Sequence, residues 1–240
     1  MDEGQRRLWQ ALGALFQSHP WHGVHIGRRW PEVVTAYVEI VPTDTVKYEI
    51  DKTTGLLKID RPQKYSNVCP SPYGLVPQTY CDARVAELVM QKTGRTGIVG
   101  DGDPLDICVI TEKAVSHGNI LVEAHPIGGL RMLDGNQADD KILAVLEGDA
   151  VYGHVTEVQD LPPLLLDRLL HYFLTYKQAP DRKDPECEIT HVYGREEARD
   201  VIRRSHEDYL GRFSGLAEML GVILGMPGAH EVAGRSRDGL

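Results

Sequence analysis

The chain has 240 residues, 42% of them hydrophobic and 25% charged, which suits a folded protein with one sizeable core and excludes a disordered one. Asp and Glu number 35 against 26 Lys and Arg, and the net charge of -9 has the wrong sign for a protein that grips nucleic acid through its phosphates. No apolar run approaches the roughly 18 residues that cross a bilayer. The N-terminus MDEGQRRLWQALGALFQ lacks the basic, apolar, small-residue order of a secretory signal, and Asp2 and Glu3 argue against a transit peptide. Cys69, Cys81, Cys108 and Cys187 form no C-x-x-C pair and have no His in ligand spacing, which predicts reduced, buried thiols and no zinc site. A cytoplasmic protein with no membrane and no nucleic-acid partner is expected.

Leu8, Ala11, Leu12 and Leu15 recur at helical spacing and predict a short amphipathic helix, followed over 19–31 by a connector rich in His, Trp, Gly and Pro. Residues 1–31 read as an N-terminal extension for packing or oligomerisation rather than chemistry. From Thr35 the period falls to two. Ala36, Val38 and Ile40 alternate with Tyr37 and Glu39, and Val46, Tyr48 and Ile50 with Lys47 and Glu49; Leu57 and Ile59 continue to Arg61. Pro42-Thr43-Asp44 and Thr53-Thr54-Gly55 supply turns, so successive antiparallel strands are predicted. Further strands at 107–110, 120–125 and 141–146 give the spacing of a small closed barrel.

Helices return late. Pro162 and Pro163 suit a first helical turn, and Leu166, Leu169, Leu170, Phe173 and Leu174 then repeat at helical spacing. A second helix is predicted over 195–210 with Ala198, Val201, Ile202 and Tyr209 inward, and the Gly-rich tail GMPGAHEVAGRSRDGL reads as turn-like. Strands first and helices after indicate α+β. The main domain is placed at 32–212, with a C-terminal helix and tail at 213–240.

The densest chemistry lies at Asp101-Gly102-Asp103-Pro104-Leu105-Asp106, three carboxylates in six residues on a Gly/Pro turn before an apolar strand. Such crowding repels by kcal/mol amounts, and an oxygen-preferring divalent cation is the usual remedy. Asp134-Gly135-Asn136-Gln137-Ala138-Asp139-Asp140-Lys141 is compatible equally with a calcium-type loop and a polar hairpin turn. On the strand 46–50, alternation puts Lys47 and Glu49 on one face. Glu39, Glu49, Asp101, Asp103, Asp106, Asp134 and Asp139 make seven candidate carboxylates, and Lys47, Arg61, Lys141 and Lys177 four candidate cations. Excess acid with interspersed base suits several divalent ions bridging a phosphate ester or a polyphosphate. No G-x-x-x-x-G-K loop and no dinucleotide fingerprint is present.

These motifs, in order, resemble the family I soluble inorganic pyrophosphatases. The resemblance rests on Asp101 to Asp106, on Lys47-Tyr48-Glu49-Ile50-Asp51 with Gly55 and Asp60-Arg61, and on Tyr73-Gly74 with Pro77-Gln78-Thr79. Asp134 through Lys141 and Tyr176-Lys177 complete it, over approximately residues 35–205. It implies an OB-type five-stranded β-barrel with flanking C-terminal helices that hydrolyses inorganic pyrophosphate with several Mg²⁺ ions. Asp101, Asp106 and Asp139 then resemble ligands of the tight activating metals, and Asp103 the general base. Asp134, Glu39 and, through water, Glu49 would serve the metals that arrive with substrate. Lys47, Arg61, Tyr73, Lys141, Tyr176 and Lys177 correspond to phosphate-holding positions, and Tyr176 and Lys177, with Arg61, to compensation of charge on the leaving phosphate. Bacterial members are typically hexamers and eukaryotic ones dimers, so a homo-oligomer is implied, with the hexamer favoured. Pro72 stands where the family often has Asn, and the segment 81–100 is longer than in compact bacterial members.

Two other readings have less support. Asp101 and Asp103 also form the D-x-D of a haloacid-dehalogenase-type phosphatase, but TGRTGIVG is a poor buried strand and β–α alternation is absent. A calcium-binding or oligonucleotide-binding OB module would not need Lys47, Arg61, Lys141 and Lys177 around its acids, and only 3 Phe and 3 Trp are available for base stacking.

Overall fold

The computed structural model describes residues 17–178 and 187–223; the helix expected on Leu8 to Leu15 and the Gly-rich tail lie outside them. In chain order the strands are β1 Val34–Ile40, β2 Val46–Ile50, β3 Leu57–Pro62, β4 Tyr73–Leu75, β5 Val99–Gly100, β6 Asp106–Ile110, β7 Ile120–Asp134, β8 Gln137–Ala138, β9 Lys141–Leu146 and β10 Cys187–Gly194. Helix α1 Ala83–Thr93 lies between β4 and β5, α2 Pro163–Thr175 between β9 and β10, and α3 Arg195–Ile223 follows β10.

Five strands close on themselves. β1 pairs with β4, β4 with β6, β6 with β9, β9 with β7, and β7 returns to β1; only β6–β9 in this circuit is parallel. The α+β architecture with a five-stranded barrel is therefore the one expected, and closure leaves these strands no open edge. Alternation along β6 and β9 sorts side chains into two cores. Ile107, Val109 and Ile142 meet Val85, Leu88 and Val89 of α1 and Ala198, Val201 and Ile202 of α3. Cys108, Leu143 and Val145 meet Leu169 and Phe173 of α2. Full burial of each Val, Leu, Ile or Phe among them stabilises by about 1.5–3 kcal/mol. All four cysteines are free and buried.

Three local departures from the pattern reading have physical causes. β1 and β2 form no ladder, since β2 pairs only with β3 in a separate hairpin. The Asp44 carboxylate accepts Val41 N–H at 2.8 Å while Asp44 N–H donates to the Val41 carbonyl at 2.9 Å, and this doubly closed turn steers the chain off the barrel. β7 runs on from the predicted 120–125 to Asp134, because a bulge between Pro126 and Gly128 absorbs the proline that breaks the apolar pattern. Helix α1 was not expected in the segment 81–100. Its N-cap residue Asp82 makes no side-chain cap bond; the buried Asp208 of α3 instead accepts the N–H groups of Asp82, Arg84 and Val85 at 3.1–3.3 Å. Among the described residues no helix is long and apolar enough to cross a membrane.

Candidate active site

The acidic turn begins where β5 ends. Gly102 takes φ +75°, a region costly for any residue with a Cβ, and this lets Asp103 N–H reach Asp101 Oδ1 at 3.0 Å. Cys81 N–H donates to the Asp103 carbonyl at 2.9 Å and Gly102 N–H to the Cys81 carbonyl at 3.0 Å. Leu105 N–H donates to Thr79 Oγ1 at 2.9 Å. The Pro77-Gln78-Thr79 motif thus braces the turn from behind. β5, parallel to β8, is only two residues long, so Asp101 does not end a central strand as a dehalogenase nucleophile does.

Asp106 opens β6, opposite Leu75 of β4 and Lys141 of β9. The second acidic segment is a hairpin turn rather than a calcium loop: β7 ends at Asp134, Gly135 turns at φ +62°, and β8 pairs back antiparallel. It delivers Asp139 beside Lys141, whose buried ammonium donates to both Asp139 and Asp106. Glu39 sits within the β1 bulge between Val38 and Ile40, and its buried Oε1 accepts Ile50 N–H at 2.7 Å, tying the β2–β3 hairpin to the barrel. On that hairpin Lys47 pairs with Glu49 at 2.9 Å and Asp60 at 3.3 Å, and Arg61 stands opposite Lys47. Tyr73 of β4 tilts against Phe173, with ring centroids 5.9 Å apart. Tyr176 and Lys177 follow α2, and Lys177 pairs with Asp134.

Every site residue proposed from the sequence lines one cavity of about 230 Å³. Lys52 and Gln137 line it as well and were missed. Lys52 lies in the Thr53-Thr54-Gly55 turn region of the hairpin and donates to Asp103, yet nothing local in the sequence sets it apart from the other lysines.

Burial dominates the electrostatics. It pushes the Glu39 carboxyl up to about 8, against the opposing bond from Ile50 N–H. Burial and then the Asp139 charge push Asp101 up to about 8, and burial raises Asp139 despite the opposing Lys141 charge. Burial disfavours the Lys141 ammonium, but Asp106 and Asp139 outweigh it and hold its pKa well above the usual value. Burial also raises Tyr73 and Tyr176, so both phenols keep the proton they can donate to an anion.

Among the described residues no three His, Cys, Asp or Glu are gathered so as to hold an ion. Ammonium groups stand against the acids instead: Lys141 on Asp106 and Asp139, Lys52 on Asp103, and Lys177 on Asp134. The donors facing the cavity are hard carboxylate oxygens, the ligand type that oxygen-preferring divalent cations take.

A family model described as inorganic pyrophosphatase matches residues 36–210. An inorganic pyrophosphatase of Chlamydia trachomatis serovar L2 is 52% identical over 200 residues, 82% of this chain and 96% of its own. Soluble inorganic pyrophosphatase 1 of Arabidopsis thaliana is 35% identical over 192 residues, 80% of each chain. The crystal structure of inorganic pyrophosphatase from Thermus thermophilus superposes with a TM-score of 0.66 at 26% identity, covering 80% of this chain and 99% of that one. Alike in sequence and in fold over most of its length, the chain belongs to the family I soluble inorganic pyrophosphatases.

Proposed function

We propose that this protein hydrolyses inorganic pyrophosphate to two phosphates, with Asp103 as general base and several Mg²⁺ ions as cofactors. One observation carries the reading: acids from β1, β2, the 101–106 turn, β6 and the β7–β9 connection meet lysines, an arginine and three tyrosines around a single cavity, with Lys141 held between Asp106 and Asp139. Asp101, Asp106 and Asp139 would hold the tight ions, and Asp134, Glu39 and Glu49 those that come with substrate. Bound there, Mg²⁺ supplies positive charge that neutralises phosphate oxygens and acidifies water.

The chain's own groups do the rest. Asp103 is partly exposed at the cavity and accepts the proton of the attacking water. The water oxygen bonds to one phosphorus, the bond from that phosphorus to the bridging oxygen breaks, and the bridging oxygen leaves with the second phosphate. Lys47, Tyr73 and Lys141 hold phosphate oxygens by charge and O–H donation, while Arg61, Tyr176 and Lys177 offset the charge that grows on the leaving phosphate. Phosphoryl transfer asks for little more than such in-line positioning and charge compensation.

The test is phosphate release from pyrophosphate with and without Mg²⁺, beside a phosphate monoester control. Mg²⁺-dependent release from pyrophosphate with the monoester untouched is expected. Turnover of the monoester alone would sink the reading. The same proposal takes the enzyme to be a cytoplasmic homo-oligomer, a hexamer in preference to a dimer, with no nucleic-acid or membrane partner.

A further inference from the structure

Trp21 lies upstream of residues 36–210, in the connector that composition assigned to packing. We infer that Trp21 is a positioning residue for the carboxylate turn 101–106, an inference that rests on reading that turn as metal-holding and proton-accepting.

The indole Nε1–H donates to the Thr79 carbonyl at 2.7 Å, and the Trp21 carbonyl accepts Gln78 N–H at 2.9 Å. Both Trp21 and Thr79 are buried. The Thr79 hydroxyl donates to the Val76 carbonyl at 2.6 Å and accepts Leu105 N–H at 2.9 Å, while Val76 N–H donates to the Leu105 carbonyl at 2.9 Å. One residue, Thr79, therefore separates the indole from the turn that carries Asp101, Asp103 and Asp106. Helix α3 grips the same strap from its other side, with Tyr80 N–H donating to the Ser205 carbonyl at 2.8 Å and His206 Nδ1 2.6 Å from the Gln78 carbonyl.

The connector reaches the opposite lip of the cavity too. Trp21 packs in one cluster with Ile50 and Leu75. Ile50 N–H holds Glu39, and Leu75 faces Asp106 across the β4–β6 ladder. Two residues before Trp21, the His19 ring lies under Gly55, where an added Cβ would come within 2.8 Å of it. That turn carries Lys52, the partner of Asp103. An apolar plug needs none of these hydrogen bonds. Tryptophan unites the large apolar body with the one donor that, among the described residues, the buried Thr79 carbonyl receives, and phenylalanine keeps only the first. Displacements of a fraction of an ångström matter when carboxylates must hold an ion and a water in line.

The experiment uses the full-length protein and the variant Trp21→Phe, which keeps the cluster filled and removes the donor. Mg²⁺ binding to the substrate-free protein is followed by calorimetry, exchange of the Leu105 amide by mass spectrometry or NMR, and turnover by phosphate release. Expected are Mg²⁺ binding weakened roughly fivefold, turnover lowered by a similar factor and faster Leu105 exchange, with cooperative unfolding retained. A variant whose melting temperature alone falls, with Mg²⁺ binding, Leu105 exchange and turnover unmoved, would make Trp21 a packing residue and overturn the inference. If the wild-type protein takes up no Mg²⁺, the metal reading falls, and faster or unchanged Leu105 exchange in Trp21→Phe still supports or overturns the anchoring. Trp21→Ala is expected to enlarge each effect; should it fail to fold, Trp21→Phe decides.

Discussion

The guanidinium of Arg131 lies 3.3 Å from Oδ2 of Asp140, and neither side chain reaches solvent. Tyr193 Oη–H donates to the same Asp140 oxygen at 3.0 Å, and Glu197 accepts from Arg131 at 2.7 Å. Alternation sends Asp140 away from the cavity and so turns its neighbours Asp139 and Lys141 towards it. The pair is a buried anchor behind the site. Arg131→Met is expected to cost about 3–5 kcal/mol, since it strands a buried carboxylate, whereas Arg131→Met with Asp140→Asn should recover part of that loss. Denaturant unfolding of the two single variants and the double variant checks this; equal stability of Arg131→Met and the double variant would contradict it.

Asp103→Asn is nearly isosteric and sits at a partly exposed position, so folding should be unaffected. Turnover should fall roughly 10²-fold or more, because the amide cannot accept the proton of water. Steady-state kinetics with a thermal melt as control measures both, and full activity would remove Asp103 from the role of base.

Glu39 and Asp101 bind their protons up to about pH 8 in the folded chain, where burial opposes their charge. In the unfolded chain they release them near pH 4. The folded state therefore holds more protons through that window. Their contribution to stability without added metal is fully present below about pH 4 and is lost as pH rises towards 8. Mg²⁺ should reverse the trend by favouring the ionised acids, with release of protons on binding. Melting curves from pH 5 to 8 in chelator and in Mg²⁺, with calorimetry in buffers of different ionisation enthalpy, test the sign. A metal-free melting temperature that climbs steadily with pH would count against it.

Assembly is open to one measurement. Sedimentation of the full-length chain should give six times its 26.7 kDa mass, with twice that mass as the alternative outcome. A monomer at working concentration would refute the homo-oligomer proposal.

Much of this molecule was legible in one dimension because period-two alternation and turn chemistry are local. Residues 46–50 and 141–146, the proline-led α2 and the inward face of α3 all declare themselves through neighbours a few positions away. The gathering of the candidate residues at one cavity was legible for a different reason. Asp101, Asp103 and Asp106 are crowded along the chain, and such crowding of like charge is improbable without a compensating task. What lay hidden depended on partners far away in sequence. Helix α1 needs a carboxylate from Asp208 to begin, and β7 needs a bulge to pass Pro126. Glu39 owes its burial to barrel closure, and Lys52 is distinguished only by the acid it meets. A hydrogen bond or a desolvated charge acquires its energy from the atom brought opposite, and the tertiary structure alone supplies that atom.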